Sequence, residues 1–347
     1  MISGEGDDTS WGGSMRRFAD GIVLPKINQL ANLGIETEHF GAHLNFFADS
    51  PFLAFYLSRK EALSGTTKRI CHKCDCTSAN KAQWFSVNDD NCQWRAITTD
   101  ELLQQRKRIT DATQPGLPQA RYNEASKDTG LNRDDDAFEG VPWWDSTKAA
   151  WNDWMHGEPE GPCKDHEYLL IHNGVLKGYF SVQKFCQLVH RFPFLIEDGA
   201  FVPRKTFKSN FFTSKKPNKK LGSCLKLTGS QALQFGLALP GILWDHYDRT
   251  DPHWKCFCDH MLCVAWAQQD SFLRFEQPSP HPIPIVFHFA NAHVGRSQLP
   301  IFEKKQATWR QQCFELHGRQ NPLIHQGCHL TQSIEEAGPP NQRYAFR

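Results

Sequence analysis

The chain has 347 residues, of which 39% are hydrophobic and 12% aromatic, with eleven Trp and 25 Phe. This composition supplies enough apolar surface for a core and excludes a wholly disordered protein. The formal net charge is +1, so the overall charge excludes no class of partner, and only the distribution of charge is informative.

The sequence contains no signal for export or for a membrane. No apolar run approaches the ~18 residues of a spanning helix, and residues 1–13 lack the basic and apolar segments of a secretory signal. We therefore predict a nuclear or cytoplasmic protein that is not secreted and has no membrane partner. The twelve cysteines are scattered, except for three between residues 71 and 76. That distribution favours reduced thiols, with room for a metal, over a disulfide framework.

The first predicted domain is a partial core over residues 14–110, after a flexible start over residues 1–13. Within it, residues 41–57 contain two apolar runs separated by Asp49 and a Ser-Pro pair. Serine caps helices and proline suits their first turn, so we predict a short buried strand, then a carboxylate, then a helix. A carboxylate at a strand end is held rigidly, as a metal ligand must be. The alternative is that Asp49 only caps the helix together with Ser50.

Cys71 and Cys74 have the Cys-x-x-Cys spacing of a zinc knuckle. Two intervening residues let both sulfurs face one tetrahedral ion. No second pair follows at the spacing of a zinc finger, so the candidates for the remaining ligands are Cys76, His72, Cys92 or a distant histidine. We predict a Zn²⁺ site at these cysteines, and thiols that bind no metal are the alternative.

Residues 98–109 and 111–140 differ in character. In the first range, Thr98 and Glu101 form a capping box ahead of a short basic helix. The second range is rich in Pro, Gly, Asn and Asp, which predicts a loop or an insertion. Its acidic run at residues 134–136 suggests a metal, but such runs are usually solvated.

Tryptophans, histidines and acids are concentrated at the start of a mostly helical region predicted over residues 141–270. Asp153, His156 and Glu160 fall within eight residues, and Glu158 lies among them. Burial beside tryptophan would shift the pKa values of these groups, so we predict a catalytic or metal-binding site. The alternative is a structural turn whose acids cap helices.

A basic segment follows at residues 199–226, and no Asp or Glu occurs between Asp198 and Asp245. Lysine and arginine can contact phosphates while the interleaved phenylalanines pack or stack on bases, so we predict a DNA-binding segment. A solvated basic loop is the alternative. The predicted nucleic-acid-binding residues are Arg204, Lys205, Lys208, Lys215, Lys216, Lys219 and Lys220.

The last third of the chain changes from regular to irregular patterning. Residues 227–269 predict two buried helices separated by a turn. Cys256 and Cys258 point to different faces of the second helix, so we interpret them as packing thiols. Residues 271–347 begin with a Pro-rich stretch and lack sustained periodicity, which predicts an irregular, disordered C-terminal region.

Three stretches in the same order resemble the transposases of the Kyakuja-Dileera-Zisupton and related CMC (EnSpm-like) DNA transposons. Residues 27–74 contain INQLANLGIET, FFADSPFLAFYL and ICHKC, similar to the family's helix, its strand ending in an acidic motif, and its CRxC pair. Residues 152–180 contain NDWMHGEPEG and LKGYF, and residues 192–265 contain ALPGILWDHYDRTDPHWKCFCDHMLCVA. Together the three stretches cover residues 15–270 with gaps.

The resemblance implies a ribonuclease-H-like domain that cuts and joins DNA with two Mg²⁺ ions held by acids. On the matching motifs, Asp49 is the second acid and a metal ligand, and Glu160 is the third, with Asp153 and His156 beside it. Two departures weaken catalysis: the family's first acid would lie upstream of residue 1, and Pro159 interrupts the motif around Glu160. We therefore expect a truncated, transposase-derived α+β protein with a partial ribonuclease-H-like core, which binds DNA and is catalytically inactive.

Three alternatives remain open. An active two-metal nuclease would need Mg²⁺ and a first acid from another chain. Besides DNA, a second copy of this chain, in a homo-oligomer, is the partner considered. A zinc-stabilised interaction module would bind zinc and no DNA. A transposon remnant without a stable fold would be sensitive to proteases throughout.

Overall fold

A computed structural model describes residues 46–48, 50–60, 67–79, 94–136, 138, 144–192, 194, 225, 227–267, 299–318 and 322–337. The chain divides into two compact units. Unit 1 comprises residues 1–79 and 94–152, and unit 2 comprises residues 80–93 and 153–347. The architecture is α+β, since the described residues are mostly helical and contain two strands.

The two strands of unit 1 pair in parallel. β1 (Phe46–Ala48) lies beside β2 (Ala150–Asn152), and the register places Ala48 opposite Asn152. Helix α1 (Ser50–Tyr56) comes two residues after the end of β1. The predicted order of strand and helix in this stretch is therefore confirmed.

Helices α2 (Thr99–Ala112) and α3 (Gln119–Thr129) form the other part of unit 1. The predicted capping box is present. Thr98 Oγ1 accepts from the backbone N–H of Glu101 at 3.2 Å, and the Glu101 carboxylate accepts from the N–H of Thr98 at 2.9 Å. A short helix, α4 (Ser146–Ala149), leads directly into β2.

Helix α3 corrects the prediction of a loop over residues 111–140. Its sequence, QARYNEASKDT, is polar, and the residues that it buries are small: Ala125, Ser126 and Thr129. An apolar stripe of helical period is therefore missing from the sequence, although the helix forms. Gly130 ends the helix in the left-handed region at φ 74°, where glycine is favoured.

The acidic run at residues 134–136 is not solvated throughout. Asp136 is 2% exposed and forms an ion pair with Arg106 on α2. Its other carboxylate oxygen accepts from the backbone N–H of Phe138 at 2.8 Å. One acid of the run therefore has a structural role, which composition alone does not reveal.

Unit 2 is helical and is built around one large hydrophobic core. The predicted helix pair within residues 227–269 is confirmed. Phe185, Phe235 and Phe257 belong to the hydrophobic core of unit 2 and are 0% exposed. In chain order the unit contains α5 (Trp154–Gly157), a π-helical turn (Pro159–Cys163), α6 (Lys164–Leu176), α7 (Val182–Arg191), α8 (Gly229–Leu243), α9 (Pro252–Ala267), α10 (Leu299–His317), α11 (Pro322–Cys328) and α12 (Leu330–Ala337).

Helices α10 to α12 correct the prediction that residues 271–347 are irregular. The buried face of α10 has helical spacing, but two of its members, Gln306 and Arg310, are polar. Those polar residues interrupt the apolar stripe that sequence patterning relies on. The buried residues of α10 are Leu299, Phe302, Gln306, Trp309, Arg310 and Cys313.

Candidate functional site

Three buried thiols lie in the Cys-x-x-Cys segment of unit 1. Cys71, Cys74 and Cys76 are 3%, 1% and 0% exposed, and the sulfurs of Cys71 and Cys74 lie within 4.8 Å of each other. The backbone N–H of Lys73 donates to the Cys71 sulfur at 3.3 Å, so the chain turns around that atom. Hydrogen bonds to the Cys71 and Cys76 thiols, with burial, raise the pKa of Cys74. Two thiols at this spacing can hold a metal such as zinc, whose charge would favour the thiolates.

The side chains between these thiols are anchored to the segment of unit 1 that carries β2. His72 Nε2 donates to the carbonyl oxygen of Ala150 at 3.0 Å, and burial lowers the His72 pKa to about 3, so the ring is neutral. Lys73 Nζ donates to the carbonyl oxygen of Lys148 at 2.7 Å and lies 3.4 Å from the centroid of the Trp151 ring. The Cys-x-x-Cys turn is therefore held in place by contacts that do not use a thiol.

Unit 2 contains a buried histidine pair of its own. His325 on α11 and His329, one helical turn later, are 0% and 5% exposed. Their ring centroids are 5.2 Å apart with the rings nearly perpendicular, and one nitrogen of each lies within 4.8 Å of the other. Imidazoles at His-x₃-His spacing are common zinc ligands, so this pair can also contribute to a metal site.

The predicted acidic site also lies in unit 2, where Asp153, His156 and Glu160 are brought together. His156 Nδ1 is paired with Asp153 Oδ2, and His156 Nε2 lies 3.9 Å from Glu160 Oε2. Asp153 Oδ1 accepts from the backbone N–H of Met155 at 3.2 Å, and Glu160 Oε1 accepts from that of Gly229 at 2.9 Å. Each acid therefore accepts from one backbone N–H, and His156 lies between their other oxygens. As placed, the two acids cap backbone groups.

A buried acid and two histidines form a hydrogen-bonded row beside that site. Glu158 Oε1 and His260 Nε2 are 2.5 Å apart, and His260 Nδ1 and His166 Nδ1 are 2.9 Å apart. The three residues are 4%, 0% and 2% exposed. The Trp309 ring stacks on His260 with centroids 3.9 Å apart and closes one side of the row. In a row of this kind, the hydrogen bond at one nitrogen of a histidine ring is coupled to the role of its other nitrogen.

Cys163 adjoins this row, with its sulfur 3.8 Å from His260 Nε2. Ligand atoms of Glu158, Cys163 and His260 lie within 4.8 Å of one another, so this group can also hold a metal. The thiol is 0% exposed, and burial, followed by the charge of Glu158, raises its pKa well above the usual value. A buried thiol of raised pKa is a poor nucleophile, which argues against Cys163 as a catalytic nucleophile.

Several predicted site residues lie outside the described residues. They include Asp49 and the seven basic residues of the 204–220 segment, which are Arg204, Lys205, Lys208, Lys215, Lys216, Lys219 and Lys220. The metal-binding prediction at Asp49 and the DNA-binding prediction therefore stay predictions.

Sequence patterns did not predict the cysteine and histidine side chains of the C-terminal helices that can hold a metal. Cys313-x₃-His317 and His325-x₃-His329 each place two ligands one turn apart. That spacing is informative only on a helix, and the C-terminal region was predicted to be irregular.

Comparisons with protein-family models, curated proteins and solved structures returned no match. Within the part of the chain that the structure describes, every helix is too short or too polar to span a bilayer. The case for a function therefore depends on the residues and their geometry.

Proposed function

We propose that this chain is a transposase-derived DNA-binding protein, catalytically inactive, in which zinc at Cys71 and Cys74 stabilises unit 1. The observation that carries the proposal is the parallel pairing of β1 with β2, which places Ala48 opposite Asn152. In the sequence, the next residues are the acids Asp49 and Asp153. Acids that follow neighbouring parallel strands are what a ribonuclease-H-like core requires, and this agrees with the motif resemblance.

The engagement of the acids supports an inactive protein. Two-metal catalysis needs carboxylate oxygens that bridge or bind the ions and hold them about 4 Å apart. The oxygens of Asp153 and Glu160 face backbone N–H groups and the ring nitrogens of His156 instead. The proposal therefore includes no step through magnesium.

The cysteine geometry supports zinc as a structural ion. The sulfurs of Cys71 and Cys74 are close, buried and joined by a turn whose N–H points at the first sulfur. Structural zinc sites are closed to solvent and contribute directly to folding stability. Zinc removal should therefore destabilise unit 1.

DNA binding is assigned to the segment at residues 199–226, where basic side chains alternate with phenylalanines. The test is fluorescence anisotropy of a labelled duplex at two salt concentrations. We compare the intact chain with a variant in which Lys215, Lys216, Lys219 and Lys220 are replaced by alanine. Binding should weaken as the salt concentration rises. The variant should bind more weakly than the intact chain, because it contacts fewer phosphates and so releases fewer counterions.

A matched control replaces four exposed lysines elsewhere, Lys107, Lys127, Lys304 and Lys305, with alanine. The control changes the net charge equally and should keep most of the binding. If the two quadruple variants lose binding equally, the segment is not the DNA site. A folded chain that retains zinc but binds no DNA would instead favour the zinc-stabilised interaction module.

Catalysis is tested in the same samples. With Mg²⁺ present, the proposal expects no cleavage or joining of the duplex. Magnesium-dependent cleavage that disappears in Asp153→Ala would contradict the assignment of an inactive protein.

A further inference from the structure

A second group of metal-ligating side chains lies in unit 2, apart from the thiols of unit 1. His166 is on α6, and Cys313 and His317 are one turn apart on α10. One ring nitrogen of each histidine and the Cys313 sulfur all lie within 4.8 Å of one another. Two helices that are far apart in sequence thus bring three ligand atoms within 4.8 Å of one another.

Two of these side chains have buried nitrogens without a hydrogen-bond partner among the described residues. They are Nε2 of His166 and Nε2 of His317. His166 is 2% exposed, so bulk solvent does not reach its nitrogen. A buried polar atom without a partner costs about 1–3 kcal/mol, and a bound cation would remove that cost at both nitrogens at once.

The hydrogen-bonded row behind His166 determines which of its nitrogens carries the proton. Arg310 Nη2 lies 3.8 Å from Glu158 Oε2. With Glu158 Oε1 as the acceptor of the hydrogen bond from His260 Nε2–H, His260 Nδ1 is unprotonated and accepts from His166 Nδ1–H. The lone pair of His166 is thereby left on Nε2. In metal sites, a histidine ligand usually donates its other N–H to a polar partner, which orients the ring.

The three ligands define the class of ion. We propose that His166, Cys313 and His317 bind a zinc ion within unit 2. Two neutral imidazoles and one thiolate suit a borderline-soft divalent cation and are poor ligands for Mg²⁺ or Ca²⁺.

A tetrahedral ion needs a fourth ligand, and a water molecule can supply it. The Cys256 thiol on α9 neighbours that of Cys313, but its sulfur is not among the ligand atoms that lie within 4.8 Å of one another. One thiolate is therefore expected on the ion.

The test measures zinc per chain by mass spectrometry of the full-length protein. The variant Cys313→Ser/His317→Gln should lose about one zinc ion per chain, both in the wild-type background and in Cys71→Ser/Cys74→Ser. The matched control, Cys186→Ser/His172→Gln, removes one buried thiol and one imidazole elsewhere in unit 2 and should lose none. Equal zinc in the folded Cys313→Ser/His317→Gln variant and its parent would overturn the proposal.

A second readout does not depend on removing a ligand. The chain is loaded with Co²⁺ and the thiolate-to-cobalt charge-transfer band is recorded for the wild type and for His317→Cys. Because that substitution keeps a ligand and adds a thiolate, the ion should be retained and the band should grow. An unchanged band would also overturn the proposal, and neither readout involves DNA.

Discussion

Asp251 is a buried anion at the start of α9, and its removal should measurably destabilise unit 2. Its side chain is 0% exposed. Oδ2 accepts from Lys177 Nζ at 2.8 Å and from the Tyr179 hydroxyl at 3.0 Å, while Oδ1 accepts from the backbone N–H of His253 at 2.9 Å. These three donors, together with Asn173 Nδ2 at 3.5 Å from Oδ2, compensate the burial of one carboxylate.

The magnitude follows from these contacts. A hydrogen bond to a charged group contributes about 1.5–3 kcal/mol. The Lys177 side chain is 41% exposed and can turn to water, so its share must be discounted. We expect Asp251→Ala to lower the free energy of unfolding by about 2–4 kcal/mol. Asp251→Asn, which keeps the acceptor oxygen and loses the charge, should lower it by about 1–2 kcal/mol.

The same contacts predict the dependence on pH. Burial tends to raise the pKa of Asp251, but the hydrogen bonds from Lys177 and His253 N outweigh it, so the pKa is lowered on folding. A carboxyl whose pKa is lowered on folding stabilises the folded state above its unfolded pKa. That stabilisation is lost as the pH falls through the folded pKa. The difference between wild type and Asp251→Asn should therefore shrink below about pH 4.

The assay is urea denaturation monitored by tryptophan fluorescence at about pH 7 and about pH 3. The matched control is Asp248→Asn, which changes an aspartate of the same turn whose carboxylate bonds to Thr250. It should change the free energy of unfolding by less than about 1 kcal/mol. The reasoning is refuted if Asp251→Ala costs no more than Asp248→Asn, or if the Asp251→Asn difference is the same at both pH values.

Two further substitutions test local features of the fold. Thr98→Ala removes the side-chain cap of α2 and should cost about 1 kcal/mol of unfolding free energy in the same urea assay, and a cost near zero would show that the capping box does not stabilise unit 1. Gly327→Ala should destabilise unit 2 by about 1–3 kcal/mol, because a Cβ there would lie 2.6 Å from Arg310 Nη2 and 3.1 Å from Glu158 Oε2. An unchanged thermal unfolding temperature would mean that no close approach occurs at Gly327.

The sequence predicted correctly those helices and strands that are marked by a cap or an apolar run within the element itself. The strand and helix around Ser50, the capping box at Thr98 and the helix pair within residues 227–269 were all predicted correctly. Each has a cap or an apolar run that acts over one or two turns. Helices α3 and α10 were missed because their buried faces contain small or polar residues, among them Ser126 and Arg310. A helix with such a face is stable only when it packs against the rest of the protein, and the residues that it packs against are distant in sequence.

The candidate sites, too, were predicted only where their residues are close in the sequence. The pair of Cys71 and Cys74 was predicted because two intervening residues let both sulfurs face one ion. The zinc group at His166 depends on α6 and α10, whose ligands are more than a hundred residues apart in the sequence, so no spacing rule reveals it. For Asp153 and Glu160 the sequence pointed to catalysis, while the structure places backbone donors at both carboxylates. The capping interpretation, stated as the alternative, describes their observed contacts.

Zinc content per chain tests the central claim most directly. The full-length protein is purified with zinc in the growth medium, dialysed, and compared with Cys71→Ser/Cys74→Ser and with the control Cys186→Ser/Cys263→Ser, which removes two buried thiols of unit 2. The account predicts that the first variant loses about one zinc ion per chain and unfolds at a lower temperature, while the control keeps its zinc. A wild-type chain without zinc, or a folded Cys71→Ser/Cys74→Ser variant with undiminished zinc, would contradict it.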